Sequence, residues 1–325
     1  MAVTTTGTLD ASQAVAESRA ARSNIEDRIF FGLTLASAIF VVVMLVGVIV
    51  SLVVGAWPAL QAFGPGFVWG ARWSPVKEIF GALSPIYGTI VTSIIAMAIG
   101  IPVSFGIAIF LTELCPVPLR RPIGVAIELL AGIPSIIYGL WGFFFLAPTM
   151  ASTVQPVFDA TLGRIPVIGF IFTNLGSGLN LFTAGVILAI MVLPFITSIT
   201  RDVFLTVPTL LRESAYGMGM TTWEVVRHIV IPYSRVGLVG GIMLGLGRAL
   251  GETMAVTFVI GNSHSINSSL FAPATTISAT IANEFAEATT GLYTSSLIAL
   301  GFVLSIITFA VLGIAKWLLV RGEIK

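Results

Sequence analysis

The sequence predicts an all-α, polytopic membrane protein that crosses the bilayer six times. Of its 325 residues, 56% are hydrophobic and only 10% are charged, whereas about a quarter of the residues in an average soluble domain are charged. A helix needs about 20 apolar residues to cross a hydrocarbon core about 30 Å thick. Six apolar runs are long enough, at 29–54, 86–111, 123–146, 181–200, 236–260 and 292–319.

The segment before the first run is expected to be an N-terminal tail, residues 1–28. Residues 1–15 are small, polar and rich in Thr, Ala and Ser, a composition typical of disorder, and 17–28 could form a short interfacial helix. The run 29–54 is too long for the apolar part of a signal peptide. We therefore expect it to be retained as a transmembrane helix, followed by an outer loop at 55–85.

Prolines interrupt the second, third and fourth runs at Pro102, Pro134 and Pro194. An internal proline frees a backbone carbonyl, which lipid cannot satisfy but a neighbouring helix or a cavity can. These runs are therefore expected to lie within a bundle rather than alone in lipid.

The basic residues predict the orientation of the chain. With the N-terminus inside, the cytoplasmic segments hold twelve lysines and arginines and the outer loops hold only Arg72, Lys77 and Arg164, which agrees with the excess of positive charge on cytoplasmic loops. Both termini and the 213–232 loop are expected to be cytoplasmic. The outer loops are then 55–85, 147–180 and 261–291, with a short helix expected at about 275–288.

Several function classes find no support in the composition. The net charge of +1 gives no field to attract nucleic acid. The single Cys115 and the two histidines, His228 and His264, supply no metal site, and we expect neither a metal nor a bound cofactor. A phosphate-binding loop for ATP hydrolysis needs a lysine after a glycine-rich turn; none of the three lysines follows one.

The loop between the fourth and fifth runs has a defined spacing. Glu213 and Ala215 are followed after three residues by Gly219, and after nine more by Ile229, with Pro232 closing the segment. We expect a short helix, a turn, and a second helix over about 222–229 that Pro232 stops and redirects into the next span. Such a compact projection suits a cleft on a soluble partner.

This spacing resembles the cytoplasmic loop of permease subunits of bacterial ATP-binding-cassette (ABC) importers, the binding-protein-dependent transport permease family. Only Ser214 and Ile231 depart from the pattern, both mildly. The following segment, Gly247–Val256, reads GRALGETMAV and resembles the phosphate-specific branch of that family. The resemblance covers about residues 86–319, the expected permease core, which contains the coupling loop 201–235 and precedes a cytoplasmic C-terminus at 320–325.

The resemblance implies a type I ABC importer permease fold in the bacterial inner membrane. It implies that ATP and Mg²⁺ bind to partner subunits and that the chain itself is not an enzyme. The implied partners are a second, PstA-like permease subunit, a PstB-like ATPase dimer, an extracytoplasmic PstS-like phosphate-binding protein and the surrounding lipid. In this scheme Glu213, Ala215, Gly219, Ile229 and Pro232 couple the permease to the ATPase.

The run 236–260 carries the candidate substrate pathway. In a continuous helix Gly237, Gly241, Gly245, Arg248 and Glu252 fall within an arc of about 80°, and Gly247 and Gly251 form a second ridge of small residues. The glycines allow close helix packing, and ionisable residues at membrane depth are candidates for function.

Phosphate oxygens suit the donor fork of Arg248. A proton that phosphate retains near neutral pH could bond to Glu252 or to Glu128, and Thr253 could add a hydroxyl. Alternatively, Arg248 and Glu252 only neutralise each other as an i, i+4 pair and serve as a strut.

Other functions remain open at this point. A permease for sulfate, molybdate or another oxyanion would share a Gly–Glu pair in this helix, although Thr253–Met254–Ala255 favours phosphate. An ion-coupled secondary transporter would have no docking loop and perhaps inverted halves. A membrane enzyme would need a nucleophile, base or metal cluster at one membrane face.

Overall fold

The computed structural model describes the backbone of residues 6–165, 169–173 and 176–323, and the side chains of 27–165, 169–173 and 176–317. It divides into two compact units, Met1–Val54 and Gly55–Lys325. Helices dominate throughout, and the only β pairing in the described parts is two isolated bridges. The main helices are α1 (Thr6–Phe63), α2 (Leu83–Ile109), α3 (Val117–Ala131), α4 (Ser135–Thr161), α5 (Leu181–Leu205), α6 (Thr209–Gly217), α7 (Thr222–Gly251), α8 (Met254–Val259), α9 (Ile277–Glu284) and α10 (Gly291–Glu323).

Six stretches within these helices are long and apolar enough to span a membrane, in agreement with the predicted number. They are Asp27–Phe63, Leu83–Leu114, Ser135–Thr161, Leu181–Leu205, Thr222–Gly251 and Gly291–Trp317. Several of these helices contain π turns, at Phe110–Leu114 after α2, at Gly142–Leu146 and Met150–Val154 in α4, and at Val226–Val230 in α7.

Two predicted spans are wrong in their boundaries. The third does not cover 123–146, because the chain breaks between Gly132 and Pro134, leaving α3 as a separate helix and Pro134 as the N-cap of α4. The fifth ends at Gly251, where Glu252 takes an extended conformation before α8 begins.

Two smaller predictions are also wrong. The helix α1 begins at Thr6, so the predicted disordered tail is helical from that residue to Val15, and residues 1–5 lie outside the described part. Pro232 does not stop the helix of the loop, because α7 runs through it to Gly251. A proline in the first turn of a new α-helical stretch is tolerated, and here Pro232 is the second residue after the π turn. The predicted short helix near 275–288 is present as α9.

The core of the larger unit surrounds α5. Its buried side chains pack with those of α2, α7 and α8, as represented by Met97, Ile187, Val192, Ala249 and Val256. A second cluster, including Phe204, Ala215 and Val230, continues this packing to the end of α5 that carries the α5–α7 loop. The loop is therefore anchored in the transmembrane core.

A separate cluster at the opposite end contains a half-buried carboxylate. Glu284 accepts hydrogen bonds from the Trp73 indole at 2.7 Å, the Tyr293 hydroxyl at 2.7 Å and His264 Nε2 at 2.8 Å. The His264 ring also stacks on Trp73, with centroids 5.4 Å apart. Burial raises the pKa of Glu284, but the three hydrogen bonds outweigh burial and hold that pKa below its ordinary value of 4.5.

This network predicts acid-sensitive stability. A lowered carboxyl pKa means that the unfolded chain binds the proton more tightly, so the stabilisation is present at neutral pH and is lost as the pH falls below about 4.5. We expect Glu284→Gln to lower the thermal midpoint of the detergent-purified protein at neutral pH. The variant's thermal midpoint should also fall less steeply than that of the unaltered protein as the pH is lowered into the acid range. Glu287→Gln, at an exposed neighbouring position, should do neither. Parallel pH curves for Glu284→Gln and the unaltered protein would contradict the assignment.

Candidate functional site

The loop between α5 and α7 is a helix–turn–helix. Gly219 adopts φ +86° after α6, while Met220 N–H donates to Ala215 O at 3.2 Å and Gly219 N–H to Tyr216 O at 2.9 Å. These two bonds form a Schellman motif, which requires a left-handed residue and favours glycine there. Thr221 and Glu224 then form a capping box that starts α7.

The predicted coupling residues divide between the inside and the surface of this loop. Ala215 is fully buried and Ile229 packs against the same apolar cluster, so both shape the loop. Glu213 and Pro232 are exposed. The sequence analysis missed three large exposed side chains beside them, Tyr216, Met218 and Trp223. The sequence pattern that could have pointed to them is the presence of large apolar and aromatic residues in an otherwise polar loop.

A buried ion pair joins α6 to the transmembrane helices. Arg212 Nη1 lies 2.7 Å from Glu113 Oε1, and the two side chains are only 15% and 5% exposed. Arg212 Nη2 also donates to Phe204 O at 2.5 Å. One guanidinium thus connects α6 with the π turn after α2 and with the C-terminal end of α5, and the residue directly precedes Glu213.

Arg248 lies on α7 against α5. Its guanidinium carbon is 4.9 Å from the centre of the Phe195 ring, a cation–π distance. Its Nε is buried and has no hydrogen-bond partner among the described residues. A half-buried cation with unused donors in an apolar bundle has the chemistry to bind an anion.

Glu252 does not share the face of Arg248. It lies in the break between α7 and α8, so the predicted arc ends at Arg248. Its carboxylate accepts from Ala255 N–H at 3.4 Å in α8, and no ion pair between described residues joins it to Arg248. The described residues therefore do not form the i, i+4 pair that the strut interpretation requires. Thr253, also in the break, donates to Gly251 O at 3.4 Å.

Glu128 pairs with Arg201 rather than with Arg248. It belongs to α3 rather than to a span, is 47% exposed, and pairs with Arg201 of α5 at 2.7 Å. The Tyr138 hydroxyl donates to Leu130 O at 2.9 Å across the break between α3 and α4.

The glycine ridge of α7 faces α5. A Cβ atom at Gly237, Gly241 or Gly245 would lie within 3.0 Å of Val203, Ile199 or Ile196, respectively. The second ridge is looser, since a Cβ at Gly247 would meet Leu312 only at 3.9 Å and one at Gly251 would meet nothing within 4 Å.

Comparison with known proteins identifies the family. The profile of the family described as "Binding-protein-dependent transport system inner membrane component" matches residues 79–321. This chain belongs to that family. The match includes the loop, Arg248 and all helices from α2 to most of α10, so the sequence resemblance is confirmed and the chain is a multi-pass membrane permease and not an enzyme.

Individual relatives agree with this assignment. The permease is 61% identical over 319 residues to the "Phosphate transport system permease protein PstC" of Mesorhizobium japonicum, covering 97% of this chain and 98% of that one. It is 52% identical over 310 residues to the protein of the same name from Pasteurella multocida, covering 95% and 97%.

The fold is that of type I ABC importer permeases. A chain of a bacterial ABC transporter involved in the import of alginate superposes with a TM-score of 0.58 at 16% identity, covering 93% of this chain and 99% of that one. A chain of the methionine transporter MetNI in an inward-facing conformation gives a TM-score of 0.51 at 17% identity, covering 75% and 98%.

The Arg212–Glu113 pair yields a prediction about the loop. Removing one partner of a buried pair costs about 3–5 kcal/mol because it leaves an unpaired charge. We expect Glu113→Gln to lower the thermal midpoint and to increase proteolytic cleavage in 206–221, whereas Glu213→Gln, at an exposed site, changes neither. The exchange Glu113→Arg with Arg212→Glu should recover part of the loss. Additive effects of the two single charge reversals would show that the pair does not connect these elements.

Proposed function

We propose that this permease carries inorganic phosphate into the cytoplasm as a subunit of an ATP-driven importer. Arg248 contacts the anion on its way through the bundle, and its donor fork binds phosphate oxygens by charge-assisted hydrogen bonds. The substrate assignment rests on the 61% and 52% identity, over 97% and 95% of the chain, to proteins named as phosphate permeases. The unused donors of Arg248 support its role.

The subunits that complete the importer follow from the same relationship. A second, PstA-like permease lines the path with this chain, and a PstB-like ATPase dimer binds the loop and supplies ATP and Mg²⁺. A PstS-like binding protein delivers phosphate from outside. The chain lies in the inner membrane with both termini cytoplasmic, because that orientation places twelve basic residues inside and three outside. ATP binding and hydrolysis would then open the path alternately to the two sides.

Uptake into proteoliposomes that contain the four components tests the substrate. We expect ATP-dependent accumulation of phosphate that neither sulfate nor molybdate competes away. Arg248→Gln should reduce it about tenfold or more, the cost of losing a charge-assisted contact. Because Arg248 and Glu252 do not pair, the exchange Arg248→Glu with Glu252→Arg should not restore uptake. Rescue by that exchange would show that Arg248 and Glu252 act as a paired strut. Uptake of sulfate or molybdate would show that the permease carries another oxyanion.

The turn at Gly219 tests the docking of the ATPase. A β-branched residue at φ +86° is strained by about 1–3 kcal/mol, and we expect Gly219→Val to abolish uptake while membrane insertion is retained. Gly217→Val is the matched control, since a Cβ there meets nothing within 4 Å and its φ is not positive. Normal ATP-driven uptake by Gly219→Val would remove the coupling role of this turn.

A further inference from the structure

Three arginines from two elements meet at the loop end of the bundle. Arg120 and Arg121 lie in the first turns of α3, and Arg201 lies four residues before the end of α5. Together they line a cavity of about 320 Å³. Among the described residues that line it, Glu128 supplies the only carboxylate, so positive charge exceeds negative charge among these lining side chains. We call this space the arginine cavity.

The donors of the arginine cavity are only partly used. Arg201 is occupied, because Glu128 and Asp202 accept from it at 2.7 and 2.9 Å. Arg120 uses its Nε, which donates to Cys115 O at 2.8 Å and fixes the guanidinium. The Nη groups of Arg120 and the whole Arg121 guanidinium have no partner within the described ranges of the chain.

The remaining wall is apolar. Leu111, Val125 and Leu205 contribute side chains to it, and the last two are 46% and 59% exposed. A ligand that satisfies the whole cavity therefore presents anionic oxygens to the arginines and a hydrocarbon to these side chains. Basic pockets between transmembrane helices on the cytoplasmic side bind phospholipid headgroups in this way.

We infer that the arginine cavity binds a phosphate group, and that an anionic phospholipid of the inner leaflet supplies it. The headgroup phosphate bonds to Arg120 and Arg121, and an acyl chain lies against Leu111, Val125 and Leu205. Inorganic phosphate presents the same oxygens but no hydrocarbon. This site is separate from Arg248, and lipid binding can be measured whether or not phosphate is the transported anion.

Native mass spectrometry of the purified importer complex, exchanged from detergent into mixed micelles, tests the site. We expect one phosphatidylglycerol to be retained in preference to phosphatidylcholine. The double variant Arg120→Gln/Arg121→Gln should bind it about tenfold or more weakly, because each arginine near the surface contributes roughly 1 kcal/mol. Arg72→Gln/Arg164→Gln, at exposed positions outside both the cavity and the coupling loop, is the matched control and should retain the lipid.

A second variant and a second ligand separate the remaining outcomes. Val125→Glu puts a carboxylate into the wall at an exposed position and should also release the lipid. Inorganic phosphate at millimolar concentration could displace phosphatidylglycerol or bind in the absence of lipid. Either result would show that the cavity binds phosphate but would contradict the proposal that a lipid supplies it. Equal retention of the two lipids, or equal losses in the cavity and control variants, would overturn the site.

Discussion

Close packing on α5 is the constraint on which the rest of this permease depends. On one side, the α7 glycines leave room for Ile196, Ile199 and Val203, and on another a Cβ at Gly185 would lie 2.5 Å from Ile95 of α2. Helices in lipid gain little from the hydrophobic effect and associate through such contacts. Because α5 is held on both sides, its groups hold fixed positions: the Phe195 ring faces Arg248, the Phe204 backbone carbonyl accepts from Arg212, and the Arg201 side chain lines the arginine cavity.

A second constraint appears where the helices break. Lipid cannot satisfy freed backbone groups, and at both interruptions a nearby side chain does so. The Tyr138 hydroxyl donates to Leu130 O beside the break at Gly132–Pro134, and the Glu252 carboxylate accepts from Ala255 N–H beside the break after Gly251. Because the helix ends before Glu252, that carboxylate does not follow Arg248 on the same face. Among the described residues Arg248 has no ion-pair partner, which suits a residue that meets an anion only transiently.

The sequence predicted what depends on local pattern. Run length and hydropathy predicted six spans, and the spacing around Gly219 predicted the helix–turn–helix. The structure forms it with a left-handed glycine and an N-capping threonine, which act within a few residues. Both breaks were missed, since Pro134 fits a kink inside a helix as well as the start of one, and Glu252 is followed by the largely apolar run Met254–Val256. The Arg212–Glu113 pair joins residues 99 positions apart. No local sequence pattern predicts such a contact, because only the packing of α2 against α5 brings Arg212 and Glu113 together.

The π turn after α2 links two of these features. Thr112 lies in the wall of the arginine cavity, while Glu113, its neighbour, pairs with Arg212 in the loop. A displacement of α6 therefore acts on the same turn that borders the cavity, and a lipid held there would oppose or favour that displacement. A π turn is a less regular hydrogen-bonded segment that recurs at functional sites, and α7 has another, at Val226–Val230, where the loop passes into the bundle. The two π turns lie where the loop and the transmembrane helices meet, so a bend there disturbs fewer regular α-helical hydrogen bonds and leaves the packing around α5 in place.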